Sequence, residues 1–152
     1  MSIFYSFHYG LDYWRVQTIR NIGSLGDAYS VASQEWETVR LKSDFSIMHW
    51  IDQQMKYKRA VVVLIGSETS SRPWVQYEIR QAWLKRKPLL GIRIDGLKDQ
   101  YGCVSKRGKD PFLHLGYTGI PVFEPRGASS SDKYVDIGRN LRWWVEQGRT
   151  RQ

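Results

Sequence analysis

Two side chains of one predicted helix have the types and the spacing that could do chemistry. Trp74 and Glu78 are four residues apart, so a helix places them on one side, a turn from each other. Glu78 falls ~90° from the centre of the helix's apolar stripe, at 100° per residue. It therefore lies at the border of the buried face. A carboxylate in that position can stabilise a developing positive charge, and a flat indole beside it can hold a planar ring.

The elements around this helix predict where the pair sits. Residues 60–65 read AVVVLI, and six consecutive apolar residues indicate a strand that is covered on both faces, as in the centre of a parallel sheet. Gly66 and Ser67 follow the strand. Pro73 falls in the first helical turn, where its missing N–H costs nothing, and Pro88 ends the helix. The inward residues are predicted to be Val75, Ile79, Ala82 and Trp83.

The rest of the chain alternates between strands and helices. Further strands are predicted at residues 3–8, 30–32, 89–94 and 122–123, and further helices at 11–21, from Ser43 onward, and at 132–147. Residues 95–119 are predicted to form a long irregular loop. The first helix is expected to bury a stripe of Leu11, Trp14, Thr18 and Ile22, and the second a stripe of Ile47, Met48, Ile51 and Met55. This order implies right-handed crossovers and a parallel sheet with helices on both faces. We therefore predict a flavodoxin-like α/β fold.

Length and composition exclude several classes of protein. A chain of 152 residues predicts one domain with one core. No apolar run approaches the ~20 residues of a membrane span, and the N-terminus lacks the features of a secretory signal. The single Cys103 permits no intrachain disulfide, which fits a cytoplasmic location. Neither Cys103 nor the three His residues show metal-ligand spacing, so we expect no metal site.

The chain is basic, with a net charge of +8 and a pI near 9.7. Such a balance favours attraction to polyanions, to nucleotide phosphates or to an acidic protein. The basic residues are spread along the chain, however, and no DNA- or RNA-binding motif frames them. We therefore expect neither a nucleic-acid partner nor a membrane partner.

Three segments meet where ligands bind in such a sheet, beyond the carboxyl ends of the strands. They are residues 7–12, which follow the first strand, residues 66–69, which follow the middle strand, and the start of the helix that carries Arg72, Trp74 and Glu78. A structural alternative stays open for each candidate. Glu78 can be a surface glutamate paired with Lys85 or Arg15, Trp74 a core aromatic, and His8 a hydrogen-bonded residue at a strand end.

Several of these segments resemble a known family. Residues 4–9 read FYSFHY, residues 63–69 read VLIGSET and residues 74–79 read WVQYEI. Together with the late loop at residues 98–102 and 111–117, they resemble the TIR-like domains of the bacterial Thoeris anti-phage systems. The resemblance covers about the first three quarters of the chain and fades beyond Tyr117.

The resemblance implies an activity. Catalytic TIR domains cleave the bond between nicotinamide and ribose in NAD with a glutamate that matches Glu78. Thoeris TIR proteins respond to phage by making a cyclic ADP-ribose isomer or an ADP-ribose conjugate, which activates a separate effector. TIR enzymes also self-associate and complete the site with a neighbour's loop, which here would be residues 33–42 with Trp36 and Glu37; the alternative is that these residues form a plain surface connection. The implied catalytic residue is Glu78, and the implied substrate-binding residues are Ser6, Phe7, His8, Tyr9, Trp36, Ser67 and Trp74.

This reaction needs few catalytic groups. Glycoside hydrolysis normally takes two carboxyl groups, one of which protonates the leaving oxygen. Nicotinamide leaves NAD as a neutral molecule, so one carboxylate suffices. Because the chain has no GxGxxG turn, NAD is expected to be a substrate, and no cofactor is expected.

Three other functions remain to be weighed. Many TIR domains act only as self-associating adaptors, and a fold does not determine function. A receiver domain needs acidic residues after the first strand and an aspartate after the third, where this chain has His8-Tyr9 and Gly66-Ser67, so that class is excluded. Only the net charge supports a nucleic-acid binder.

Overall fold

The computed structural model describes residues 2–21 and 42–152, and every structural statement below concerns these residues. They contain a sheet of four parallel strands in the order β1-β2-β3-β4. The strands are β1 (Ile3–Ser6), β2 (Ala60–Ile65), β3 (Leu89–Arg93) and β4 (Val122–Phe123). Every residue of β2 is buried, as its uninterrupted apolar sequence predicts.

Five α-helices and one 3₁₀ turn surround the sheet. The helices are α1 (Tyr9–Arg20), α2 (Asp44–Lys56), α3 (Pro73–Leu84), α4 (Pro111–His114) and α5 (Ser130–Glu146), and the turn is Thr69–Ser71. Local sequence explains their starts. The Ser43 hydroxyl accepts a hydrogen bond from the Ser46 amide at the N-cap of α2, and Pro73 occupies the first turn of α3.

The sheet separates two apolar layers. Because side chains alternate along a strand, Val62 and Leu64 face one layer, while Val61, Val63 and Ile65 face the other. The first layer is closed by α1 and α5, and the second by α2 and α3. A parallel sheet with helices on both faces confirms the predicted flavodoxin-like α/β fold.

Most of the predicted elements are present with shifted ends. Strand β1 ends at Ser6 instead of His8, and the long loop before β4 contains only the four-residue helix α4. The predicted strand at residues 30–32 lies outside the described residues, as does the loop at residues 33–42 apart from Lys42.

The predicted buried stripe of α1 is wrong at two of its four residues, and a third, Ile22, lies outside the described residues. Leu11 and Trp14 are 46% and 40% exposed. The buried residues of this helix are instead Asp12, Arg15, Val16 and Ile19. A charged pair can occupy the core side because Arg15 Nε donates to the carbonyl of Leu97 at 2.8 Å and Nη2 donates to that of Cys103 at 3.0 Å.

The predicted buried stripe of α2 is too wide by one residue. Met48 is exposed, whereas Ile47, Ile51 and Met55 are buried. These three residues recur every four positions, so they already form one continuous face toward the sheet. Met48 lies beside that face, on the solvent side.

Candidate active site

Glu78 is a buried carboxyl group at the end of β1. Burial of Val75, Ile79 and Ala82 packs α3 against the sheet and carries Glu78 inward until it is only 8% exposed. The hydroxyl of Ser6, the last residue of β1, donates a 2.7 Å hydrogen bond to Glu78 Oε1. A strand end and a helix therefore meet at this carboxyl group.

The alternative of a surface glutamate is wrong, because Glu78 is only 8% exposed, and its two proposed partners pair elsewhere. Lys85 Nζ lies 3.6 Å from an oxygen of Asp52, and Arg15 pairs with Asp12. Among the described residues, Glu78 has Ser6 as its hydrogen-bond partner and no ion-pair partner.

Burial changes the acidity of this group. Removal from water raises the pKa of Glu78 to about 8, and the Ser6 hydrogen bond, which favours the ionised form, opposes that shift. The free protein at pH 7 therefore holds this carboxyl group mainly protonated. A positive charge brought next to it would lower the pKa and ionise it.

A cavity of about 250 Å³ lies next to the Ser6–Glu78 pair. Its lining comes from the segment after β1 and from the first turn of α3: Phe7, His8, Tyr9, Gly10, Arg72, Pro73, Trp74 and Val75. Glu78 does not line the cavity. It follows the lining residues Trp74 and Val75 by one helical turn, and Ser6 directly precedes the lining residue Phe7, so the pair adjoins the cavity along both segments.

Neighbouring side chains hold Trp74 in the cavity wall. Its indole meets the Tyr77 ring edge-on, with centroids 5.8 Å apart and planes at 87°. The Tyr77 hydroxyl in turn donates to Asp52 Oδ1 of α2 at 3.0 Å. This chain of contacts orients a flat aromatic surface toward the cavity.

The opposite wall is aromatic as well. The Tyr9 ring lies 6.2 Å from Phe7 and 4.8 Å from Tyr13, measured between centroids. Burial lowers the pKa of His8, and the nearby Arg72 guanidinium lowers it further while Glu68 opposes the shift, so the site favours the neutral imidazole. His8 Nδ1 is buried and has no hydrogen-bond partner within residues 2–21 and 42–152.

A buried ion pair within α1, which the sequence did not predict, joins Arg15 and Asp12. Arg15 Nη1 donates to Asp12 Oδ1 at 2.9 Å, and both side chains are at most 5% exposed. Burial raises the pKa of Asp12 to about 6, although Arg15 opposes the shift. A Cβ at residue 66 would collide with Asp12 Oδ2, so glycine is required there, and the loop after β2 packs directly on α1.

The structure brings together most, but not all, of the predicted site residues. Ser6 and Glu78 are bonded, and Phe7, His8, Tyr9 and Trp74 line one cavity. Ser67 lies outside that lining, where its Cα packs near Gly108. Trp36 is outside the described residues. Pro73 and Val75 were not predicted to line a site, because apolar residues at a helix start resemble ordinary core positions.

Two features are absent from the described ranges, residues 2–21 and 42–152. No group of three or more His, Cys, Asp or Glu there is arranged to hold a metal ion. No helix in those ranges is both long enough and apolar enough to cross a bilayer.

The fold and the site define a class of protein, and similarity to known proteins identifies its family. The class is a flavodoxin-like α/β domain with a buried glutamate and a cavity at the carboxyl ends of its strands. Residues 4–99 match the model of the family described as "Thoeris protein ThsB, TIR-like domain", and the chain belongs to this family. The resemblance found in the sequence is thereby confirmed.

A curated relative carries a functional name. A protein of Bacillus cereus (strain MSX-D12), named "Putative cyclic ADP-D-ribose synthase ThsB1", is 35% identical over 121 residues. The matched region covers 76% of this chain and 62% of the relative. The chain therefore spans less than two thirds of that relative's length.

Proposed function

We propose that this chain is a TIR-type enzyme of anti-phage defence that cleaves NAD. It releases nicotinamide and makes a cyclic ADP-ribose isomer or an ADP-ribose conjugate. The observation that carries the proposal is the buried carboxyl group of Glu78, bonded to Ser6 at 2.7 Å and one helical turn from the Trp74 cavity wall. The relative's name, which specifies cyclic ADP-D-ribose synthesis, supports the same reaction.

The reaction breaks the bond between the pyridinium nitrogen and the anomeric carbon of ribose. The bonding electron pair stays with nitrogen, so nicotinamide leaves neutral and takes no proton. The positive charge moves to the ribosyl carbon, where the Glu78 carboxylate stabilises it. The substrate's own cationic ring lowers the pKa of Glu78 on binding, and Ser6 holds the carboxylate in place.

The cavity suits one end of the substrate. At about 250 Å³ it is smaller than the ~300–1,000 Å³ typical of pockets for drug-sized ligands, so it accommodates nicotinamide and its ribose and not a whole dinucleotide. The Trp74 indole offers a stacking surface for the pyridinium ring. Arg72, which is exposed at the cavity, is positioned to pair with the pyrophosphate.

The product is determined by the nucleophile that attacks the ribosyl cation. Aromatic surfaces such as those of Phe7, Tyr9 and Trp74 shield a bound ribosyl group from water, and less water favours attack by an internal nucleophile or by a second molecule over hydrolysis. The released product then acts as a messenger to a separate effector protein, after a phage component has triggered activity. NAD is consumed as a substrate, and the proposal includes no resident cofactor.

Product analysis tests the proposal. Two preparations are incubated with NAD: the purified protein, and lysate from phage-infected cells that express it. The products are then resolved by mass spectrometry. A cyclic product has the mass of NAD less its nicotinamide, whereas linear ADP-ribose carries one additional water. Protein-free filtrate should activate the partner effector.

Two results would contradict the proposal at different levels. Linear ADP-ribose with an inactive filtrate would overturn the messenger role. No nicotinamide release from either preparation would overturn the enzymatic role and leave a non-catalytic TIR adaptor as the function.

A further inference from the structure

A second cavity, of about 220 Å³, lies beyond the ends of β3 and β4. It shares no lining residue with the Trp74 cavity. Three basic side chains line it, from Arg93, Arg107 and Lys133, along with the two carboxylates of Asp95 and Glu124.

Arg93 is built into this cavity. Its side chain is only 12% exposed, and its Nη1 donates to Asp95 Oδ2 at 3.1 Å and to the Gly108 carbonyl at 2.9 Å. Asp95 Oδ2 also accepts from the Gly108 amide at 2.9 Å. Asp95 is thus occupied in fixing the guanidinium and the loop at residue 108.

Two further donors at this cavity are unused, and a third pairs with Glu124. Arg93 Nε lies 3.9 Å from Glu124 Oε2, which is too far for a hydrogen bond. Lys133 Nζ makes no hydrogen bond or ion pair in the part of the chain that the structure describes. Arg107 Nη1 donates to both oxygens of Glu124, at 2.9 and 3.1 Å.

Glu124 therefore places a carboxylate between two guanidinium groups. Its side chain is 55% exposed, and that of Arg107 is 63% exposed. An exposed ion pair contributes little to stability, so Glu124 can turn into solvent at small cost. The groups it would leave behind are two guanidinium forks and an ammonium group around one small space.

We propose that this cavity binds a phosphate or diphosphate group, and that Glu124 occupies part of the site when it is empty. Guanidinium groups match the oxygen spacing of phosphate and bind it through paired hydrogen bonds. The cavity has three positively charged side chains and two carboxylates. The Asp95 carboxylate already accepts hydrogen bonds from Arg93 and from the Gly108 amide. The volume fits a phosphate or diphosphate group, and it is too small for a complete dinucleotide.

Isothermal titration calorimetry on the full chain tests this site, with inorganic phosphate and pyrophosphate as separate probes at low ionic strength. Saturable binding of one ion per chain is expected for at least one probe, and the probe that binds tighter identifies the ligand as a monophosphate or a diphosphate. Lys133→Ala should weaken binding about tenfold, since it removes one charge-assisted hydrogen bond. Glu124→Gln should tighten binding, because the competing carboxylate loses its charge.

The control is Arg139→Ala, an exposed basic residue on the same helix as Lys133, which should bind phosphate like the parent. Thermal melting of each variant checks that it folds. The site would be overturned by the absence of saturable binding of either probe. Equal weakening in Arg139→Ala and Lys133→Ala, or weaker binding in Glu124→Gln, would overturn it as well.

Discussion

The hydroxyl of Ser6 donates a 2.7 Å hydrogen bond to Glu78 Oε1, which joins residues 72 positions apart in the chain. Ser6 is fully buried, and Glu78 is nearly so. The bond orients the carboxyl group without neutralising it. Burial keeps the carboxyl group of the free protein mainly protonated at pH 7, and a cation that enters the site would lower its pKa and ionise it.

Glu78→Gln should reduce NAD cleavage by ~10²-fold or more, because the loss of one electrostatic contact with a transition state has effects of this size. Glutamine keeps the shape and can still accept from Ser6, so the melting temperature near pH 6 should barely change. Nicotinamide release measures activity, and Glu146→Gln, at an exposed position of α5, is the matched control. Turnover at the parent rate would exclude Glu78 as the catalytic residue.

The same substitution should change how stability depends on pH. The folded protein holds a proton on Glu78 up to about pH 8, whereas the unfolded chain releases it near the ordinary pKa of 4.5. Rising pH across this window therefore favours unfolding of the parent. Asp12, whose pKa is also raised, acts in the same direction but is present in both proteins.

Melting curves at pH 5 and pH 9 measure this effect. Glu78→Gln should gain stability relative to the parent as pH rises, with each kcal/mol worth about 2–4 °C for a chain of this size. If the melting temperatures of the two proteins changed in parallel with pH, the folded state would not raise the pKa of Glu78, and this prediction would be wrong.

Arg15→Ala should destabilise the protein strongly. It leaves the Asp12 carboxylate buried without its partner, a change that typically costs about 3–5 kcal/mol, and it removes the donor to the Leu97 and Cys103 carbonyls. Urea unfolding measures the loss. Arg139→Ala should stay within about 0.5 kcal/mol of the parent, and an Arg15→Ala protein as stable as this control would contradict the role of the pair.

NAD cleavage should not depend on a metal ion. Nicotinamide leaves as a neutral molecule and needs no Lewis acid, and the Trp74 cavity is lined by aromatic and apolar side chains with one imidazole and one guanidinium. The rate of nicotinamide release is compared before and after treatment with EDTA. A large loss that a divalent ion restores would contradict this mechanism.

The sequence predicts the fold better than the details of the site. The AVVVLI run identifies β2 because apolar residues on both faces fit only a covered strand. Periodicity failed for α1, since Asp12 and Arg15 are polar residues that become buried only by bonding to each other and to a distant loop. The Ser6–Glu78 bond likewise depends on how α3 packs beside β1, which local patterns do not contain.

Self-association should raise activity. The Trp74 cavity holds about 250 Å³, whereas bound ligands of drug size bury ~70–90% of their surface, so its lining residues cannot enclose a whole dinucleotide. The family resemblance predicts that residues 33–42 of a neighbouring copy, with Trp36 and Glu37, complete the wall of the site. Specific activity should therefore increase with protein concentration. Trp36→Ala should lower it at high concentration, whereas Trp143→Ala, which changes an exposed tryptophan on α5, should not.

The measurement is nicotinamide release per chain over a dilution series, alongside molar mass from light scattering. A monomer with full, concentration-independent turnover would contradict the completion of the site by a second copy.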